Sequence, residues 1–173
     1  MPCMNLGITI IKSRRSVRQY KDTPVPGDVI SDALECARNA PTAKNGQNWV
    51  FGVITEKNLL ESIAGLTDHG KFIAHAPVCF AVFGERDWTY YLEDCCAATE
   101  QLMLGLWAHG VGSCWVAGDK KDYAGEVRDL LQVPPEYTLV SLIPAGYPED
   151  MKLAPKKPLE DISFTNRWGP AKE

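Results

Sequence analysis

Three arginines and a serine fall within five residues, Arg14-Arg15-Ser16-Val17-Arg18, and a second polar run, Ala40-Pro41-Thr42-Ala43-Lys44-Asn45-Gly46-Gln47-Asn48-Trp49, follows at a distance one helix can span. Guanidinium forks match phosphate oxygens bidentately, and the amides and hydroxyl of the second run suit the polar edge of a flat heterocycle. Lys156-Lys157, set between Pro155 and Pro158, could supply the other side of a phosphate site. One charged hydrogen bond contributes about 1.5–3 kcal/mol, so two or three cations suffice to retain a phosphorylated ligand. Each cluster also has a plain alternative. Arginines favour a helix C-terminus without any ligand, and a lysine pair is often simply solvated.

Other chemistries find less support. Gly110-Val111-Gly112-Ser113-Cys114-Trp115 begins like a dinucleotide fingerprint, but Trp115 stands where the third glycine belongs and the run follows a helical segment. Its glycines either let backbone approach a flat ligand or allow a tight turn. The chain contains no GxxxxGK[ST] loop and no GxSxG elbow, and His69, His75 and His109 lack metal-site spacing. Glu93-Asp94 reads as a solvated or capping pair.

The elements that must position these residues follow from periodicity. Leu6, Ile8, Ile10 and Ile11 predict a short helix over about 5–13 that ends in the arginine cluster. After Pro24 and Pro26, Asp28 is a candidate cap for a helix with the stripe Val29, Ile30, Ala33, Leu34 and Ala37, stopped at Pro41. Trp49–Ile54 reads as a strand, Thr55 as the cap of a helix to about Leu66, and 67–76 as loop. Val78–Phe83 is an unbroken apolar run, expected as a central strand. A long helix from about Trp88 to His109, apolar or small on most faces, closes at Gly110. Residues 111–118 read as extended, 120–132 as helix and 138–145 as strand, giving a mixed α+β architecture.

The chain has 173 residues with 45% hydrophobic content, enough for the core of one domain. A net charge of −4 argues against nucleic-acid binding, which needs a basic face. No apolar run is long enough to span a bilayer and no leader pattern opens the chain, so a cytoplasmic protein is expected. Six cysteines without a CxxC pair read as buried, reduced thiols. The proline-rich C-terminal tail lacks periodicity, yet Leu159, Ile162, Phe164 and Trp168 give it apolar anchors; it is expected to wrap across a partner subunit.

Taken in order, the arginine cluster, Ala40-Pro41-Thr42 through Trp49-Val50-Phe51, the long helix leading to Gly110–Gly118, and Gly146-Tyr147-Pro148 with Pro155-Lys156-Lys157-Pro158-Leu159-Glu160 resemble short members of the FMN-dependent nitroreductase family. The resemblance implies an intertwined homodimer with a central mixed or antiparallel sheet and two tightly bound FMN molecules at the subunit interface. Arg14, Arg15 and Ser16 would hold the phosphate with Lys156 or Lys157. Arg18 would lie towards flavin N1 and the C2 carbonyl, and Pro41, Thr42, Ala43 and Asn45 of the partner would line the ribityl chain and ring. Backbone N–H groups at Ala117 and Gly118 would face N5 and O4, and Lys71 would add a ring contact. NADH or NADPH would act as transient donor in a ping-pong transfer to a nitroaromatic, quinone or similar flat acceptor, with no protein nucleophile or general base. Two departures from the family stand out: Asn48 occupies the place where many relatives have proline before the tryptophan, and Gly84 to Trp88 leaves little room for the inserted helices that cover the pocket in larger members.

Overall fold

The computed structural model describes residues 5–151 and 153–168. Among these residues are five α-helices, α1 (Leu6–Ser13), α2 (Gly27–Arg38), α3 (Lys57–Leu66), α4 (Tyr91–Ala108) and α5 (Ala124–Leu130), and five strands interspersed with them, β1 (Trp49–Ile54), β2 (Val78–Glu85), β3 (Gly112–Ser113), β4 (Val116–Ala117) and β5 (Tyr137–Gly146). The strands form one sheet in the order β1-β2-β5-β3, with β4 also on β5, and every strand pair is antiparallel.

The apolar run of β2 is explained by burial on both faces of the sheet. Val78 and Phe80 pack with Val29, Ala33, Leu102 and Leu106 of α2 and α4, while Cys79, Ala81 and Phe83 pack with Leu60 and Ile63 of α3 and Val127 of α5. Alternate side chains thus serve two cores. A register shift at Val82/Phe83 skips Val140 of β5 and keeps Leu139 and Leu142 on the α3/α5 side.

Several expected boundaries move. Asp28 lies inside the first turn of α2, where its Oδ1 accepts from the Val29 amide at 2.9 Å, and extended Pro26 holds the cap position. Glu56, not Thr55, precedes α3, and α4 begins at Tyr91 rather than Trp88. The loop 67–76 contains a 3-10 turn at Lys71–His75. The helix expected over 120–132 shrinks to α5 because Lys120 (φ 59°) and Gln132 (φ 55°) adopt left-handed backbone at its flanks.

Gly110 stops α4 as expected, with φ +75° and open space where a Cβ would stand. Gly110→Ala therefore meets conformational strain without a clash and should lower unfolding free energy by about 1 kcal/mol, measurable as a reduced urea midpoint at unchanged slope.

Helix α1 is unlike the others. Asn5 caps it by accepting from the Ile8 amide at 3.2 Å, but none of its residues is buried, and Leu6, Ile8 and Ile11 are exposed. The tail continues the theme with exposed Leu153, Leu159, Ile162, Phe164 and Trp168. The five cysteines within the described residues are free thiols, and burial pushes Cys95 up to about 12. No helix among the described residues is long and apolar enough to cross a membrane.

Candidate functional site

The arginine cluster leaves α1 and immediately joins the sheet. Ser16 bridges Ser113 in parallel, the Val17 amide donates to the Ser113 carbonyl at 2.9 Å, and buried Tyr20 directs its hydroxyl at the carbonyls of Val17 and Pro144. This pins an irregular segment to the edge where β3 ends. Val17 points inward, so its neighbours Ser16 and Arg18 remain outside.

The guanidiniums are differently engaged. Arg14 Nε lies 3.5 Å from Glu100 of α4, while its Nη1 is buried without a hydrogen-bond partner. Arg15 donates through Nη1 to the carbonyls of Lys12 and Arg14, and its Nε is also buried and unpartnered. Buried donors are rarely left unmatched, so these two atoms invite an anionic acceptor. Arg18 is exposed and sits 5.9 Å from the centre of the Phe72 ring.

Arg18 borders two cavities. The larger, about 280 Å³, is walled by His69, Phe72, Trp115, Ala117 and Tyr123 among others, and the smaller, about 170 Å³, by Ser16, Gln19 and Asp150. Cys114 also lines the larger one; burial pushes its thiol up, and the Arg18 and Arg14 charges and a Ser16 hydrogen bond pull it back. Lys121 reaches Asp68 at 3.2 Å on the rim of this cavity. Tyr91 donates to Asp119 at 2.8 Å just beyond Gly118, and that bond pushes its hydroxyl up to about 12.

The remaining expected residues separate. Ala117 is exposed at the larger cavity, whereas the Gly118 amide donates to the Val140 carbonyl at 2.9 Å, so the ladder to β5 takes the N–H expected to face a ring. Lys71 donates to the carbonyls of Ala64 (3.0 Å) and Gly65 (2.9 Å), satisfying the end of α3 instead of lining either Arg18 cavity. Lys156 and Lys157 are exposed on the tail and line neither cavity. Pro41 and Asn45 are exposed, Thr42 and Ala43 half-buried, and Thr42 Oγ1 is buried without a partner. The glycines at 112 and 118 serve packing: Val17 and Pro148 occupy the space beside Gly112, and Leu139 that beside Gly118.

Sequence reasoning missed Asp94. It is 6% exposed and accepts from the Ala43 amide and the Trp88 indole N–H, each at 2.9 Å. Tyr123 also escapes sequence reasoning, because its approach to Arg18 depends on how 67–76 and 116–123 fold together, whereas His69, which the family resemblance places with Lys71 near the ring, does line the Arg18 cavity. Among the described residues no cluster of histidines, cysteines or carboxylates could hold a metal ion.

This arrangement suits a phosphorylated, planar, electron-accepting ligand: buried unpartnered guanidinium nitrogens for the anion and a cation beside an aromatic-lined cavity for the ring. Comparisons with known proteins agree with it. A protein of Methanothermobacter thermautotrophicus, provisionally named as an NADH dehydrogenase/NAD(P)H nitroreductase, is 30% identical over 145 residues, spanning 81% of this chain and 76% of its own. The iodotyrosine deiodinase of Thermotoga neapolitana is 28% identical over 184 residues, with 92% and 96% covered. Among solved structures, the FMN-dependent nitroreductase of Clostridium difficile R20291 superposes with a TM-score of 0.87 at 27% identity, covering 92% of this chain and 99% of its own. The nitroreductase family profile matches residues 11–71 and 67–147, nearly the whole folded body, and the chain therefore belongs to the nitroreductase family.

Proposed function

We propose that this chain is an FMN-dependent oxidoreductase, a single-domain protein working as a homodimer that passes electrons from NADH or NADPH to a nitroaromatic, quinone or similar flat acceptor. The observation that carries the reading is the pair of buried, unpartnered guanidinium nitrogens on Arg14 and Arg15, four and three residues along the chain from Arg18, which itself borders the cavity. FMN would supply reversible two-electron chemistry. The protein's part would be electrostatic: Arg14, Arg15 and Ser16 would hold the phosphate, and Arg18 would stabilise the negative charge that reduction places on the ring. Lys156 and Lys157 would join from the tail. The uncovered apolar residues of α1 and the tail support two chains enclosing two such sites, with Pro41, Thr42, Ala43 and Asn45 entering the partner's site.

The purified protein should be yellow, with a solution mass of two 19.1 kDa chains by light scattering. Anaerobic NADH or NADPH should bleach the flavin bands, and a nitroaromatic or quinone should restore them. Failure of both donors removes the nicotinamide assignment. Reoxidation by an iodophenol alone would instead favour reductive dehalogenation, the reading that the similarity to the Thermotoga deiodinase supports.

A further inference from the structure

Residues 42–48 form a loop that its own sequence does not favour. Lys44, Asn45 and Gln47 all hold positive φ (55°, 55° and 54°), a region where lysine and glutamine pay a steric penalty that glycine would avoid. Such backbone persists only where the surroundings over-determine it. The surroundings here are few and specific. Asp94, in the first turn of α4, is a buried carboxylate with two neutral donors: the Ala43 amide from the loop and the Trp88 indole N–H from the segment before the helix. Trp88 in turn covers Gly46, whose absent Cβ would stand 3.0 Å from the indole. Asn48 donates to Glu85 at the end of β2 and closes the loop from the other side.

A buried carboxylate with no cationic partner among the described residues is costly, and the first-turn position on α4 offsets only part of that cost. An apolar residue at 94 would remove the cost but release the Ala43 amide. We infer that Asp94 is a positioning residue for the cofactor: through Ala43 and Trp88 it fixes Thr42, Ala43 and Asn45 in the shape that meets the flavin ring and ribityl chain. This rests on the FMN reading above. Asp94 touches no ligand itself; it acts by holding a strained loop in one conformation before binding, so that binding does not have to order it.

The test is D94N with W88F beside it. Asparagine keeps the shape of the side chain but has one acceptor oxygen for two donors and turns its own N–H₂ towards the other. In D94N, FMN should bind about tenfold more weakly by fluorescence titration, and hydrogen exchange at the amides of 43–48 should accelerate at least about tenfold while β2 and β5 keep their protection. W88F, which retains the Asp94–Ala43 bond, should move both readouts in the same direction by about threefold, and it carries the test if D94N does not fold. Faster loop exchange with unchanged FMN affinity overturns the assignment, as does weakened affinity accompanied by equal loss of protection throughout the sheet. Wild-type protein that takes up no FMN removes the functional reading and the assignment together, whereas normal wild-type binding with unaffected variants removes the assignment alone.

Discussion

Arg14→Ala is expected to weaken FMN binding by about 10- to 100-fold while leaving the unfolding midpoint of the apoprotein nearly unchanged. The affinity loss follows from about 1.5–3 kcal/mol for a charged hydrogen bond to phosphate. The small effect on folding follows from where Arg14 sits. It terminates α1, which buries none of its residues, and its partner in the free chain is the half-exposed Glu100 at 3.5 Å, a surface pair worth about 0–1 kcal/mol. Arg14→Lys should fall between, since an ammonium keeps the charge but not the planar fork. Flavin fluorescence titration combined with urea denaturation separates the two effects. An unchanged FMN dissociation constant in Arg14→Ala would show that the unpartnered Nη1 serves the fold and not a phosphate.

Arg18→Ala should act on electrons rather than on retention. Arg18 is exposed, lies 5.9 Å from the centre of the Phe72 ring and borders both cavities, so in the proposed reading its charge would reach the flavin ring without being needed for the phosphate. A fixed cation beside the N1 and C2-carbonyl edge favours the reduced, negatively charged flavin over the oxidised one. If that preference is worth about 1.5–3 kcal/mol, its loss lowers the two-electron midpoint potential by roughly 30–65 mV. Equilibration with redox dyes under nitrogen measures this directly. Equal potentials in wild type and variant would refute the electrostatic role, whatever happens to turnover.

The strong local signals in the sequence are those where one residue type has one physical reason. Val78–Phe83 reads as a central strand because only a sheet buried on both faces tolerates such a run, and Phe80 and Phe83 occupy opposite cores. Gly110 marks the end of α4 because a left-handed residue is needed there. The ends of α5 escape the same reasoning: Lys120 and Gln132 perform the turn without glycine or asparagine to announce it. In the candidate site, the Arg14–Arg18 cluster is legible from composition and spacing. The roles of Lys71, Gly118 and Asp94 are not, because each is decided by a hydrogen bond to another segment. Lys71 meets the end of α3, Gly118 meets β5, and Asp94 meets an amide 51 positions earlier. Asp94 reads as surface in sequence because a carboxylate beside Glu93 at a helix start is usually solvated.

On the proposed dimer and phosphate roles, the placement of the arginine cluster at the end of an uncovered apolar helix would tie two equilibria together. If α1 is held in place by the second chain, every association event orders the residues that grip the phosphate, and every bound phosphate steadies the helix that joins the chains. By linkage, each then strengthens the other, so flavin saturation becomes a function of protein concentration as well as flavin concentration. A cell making little of this protein would hold it pale and inactive, and its redox capacity would rise more steeply than its abundance.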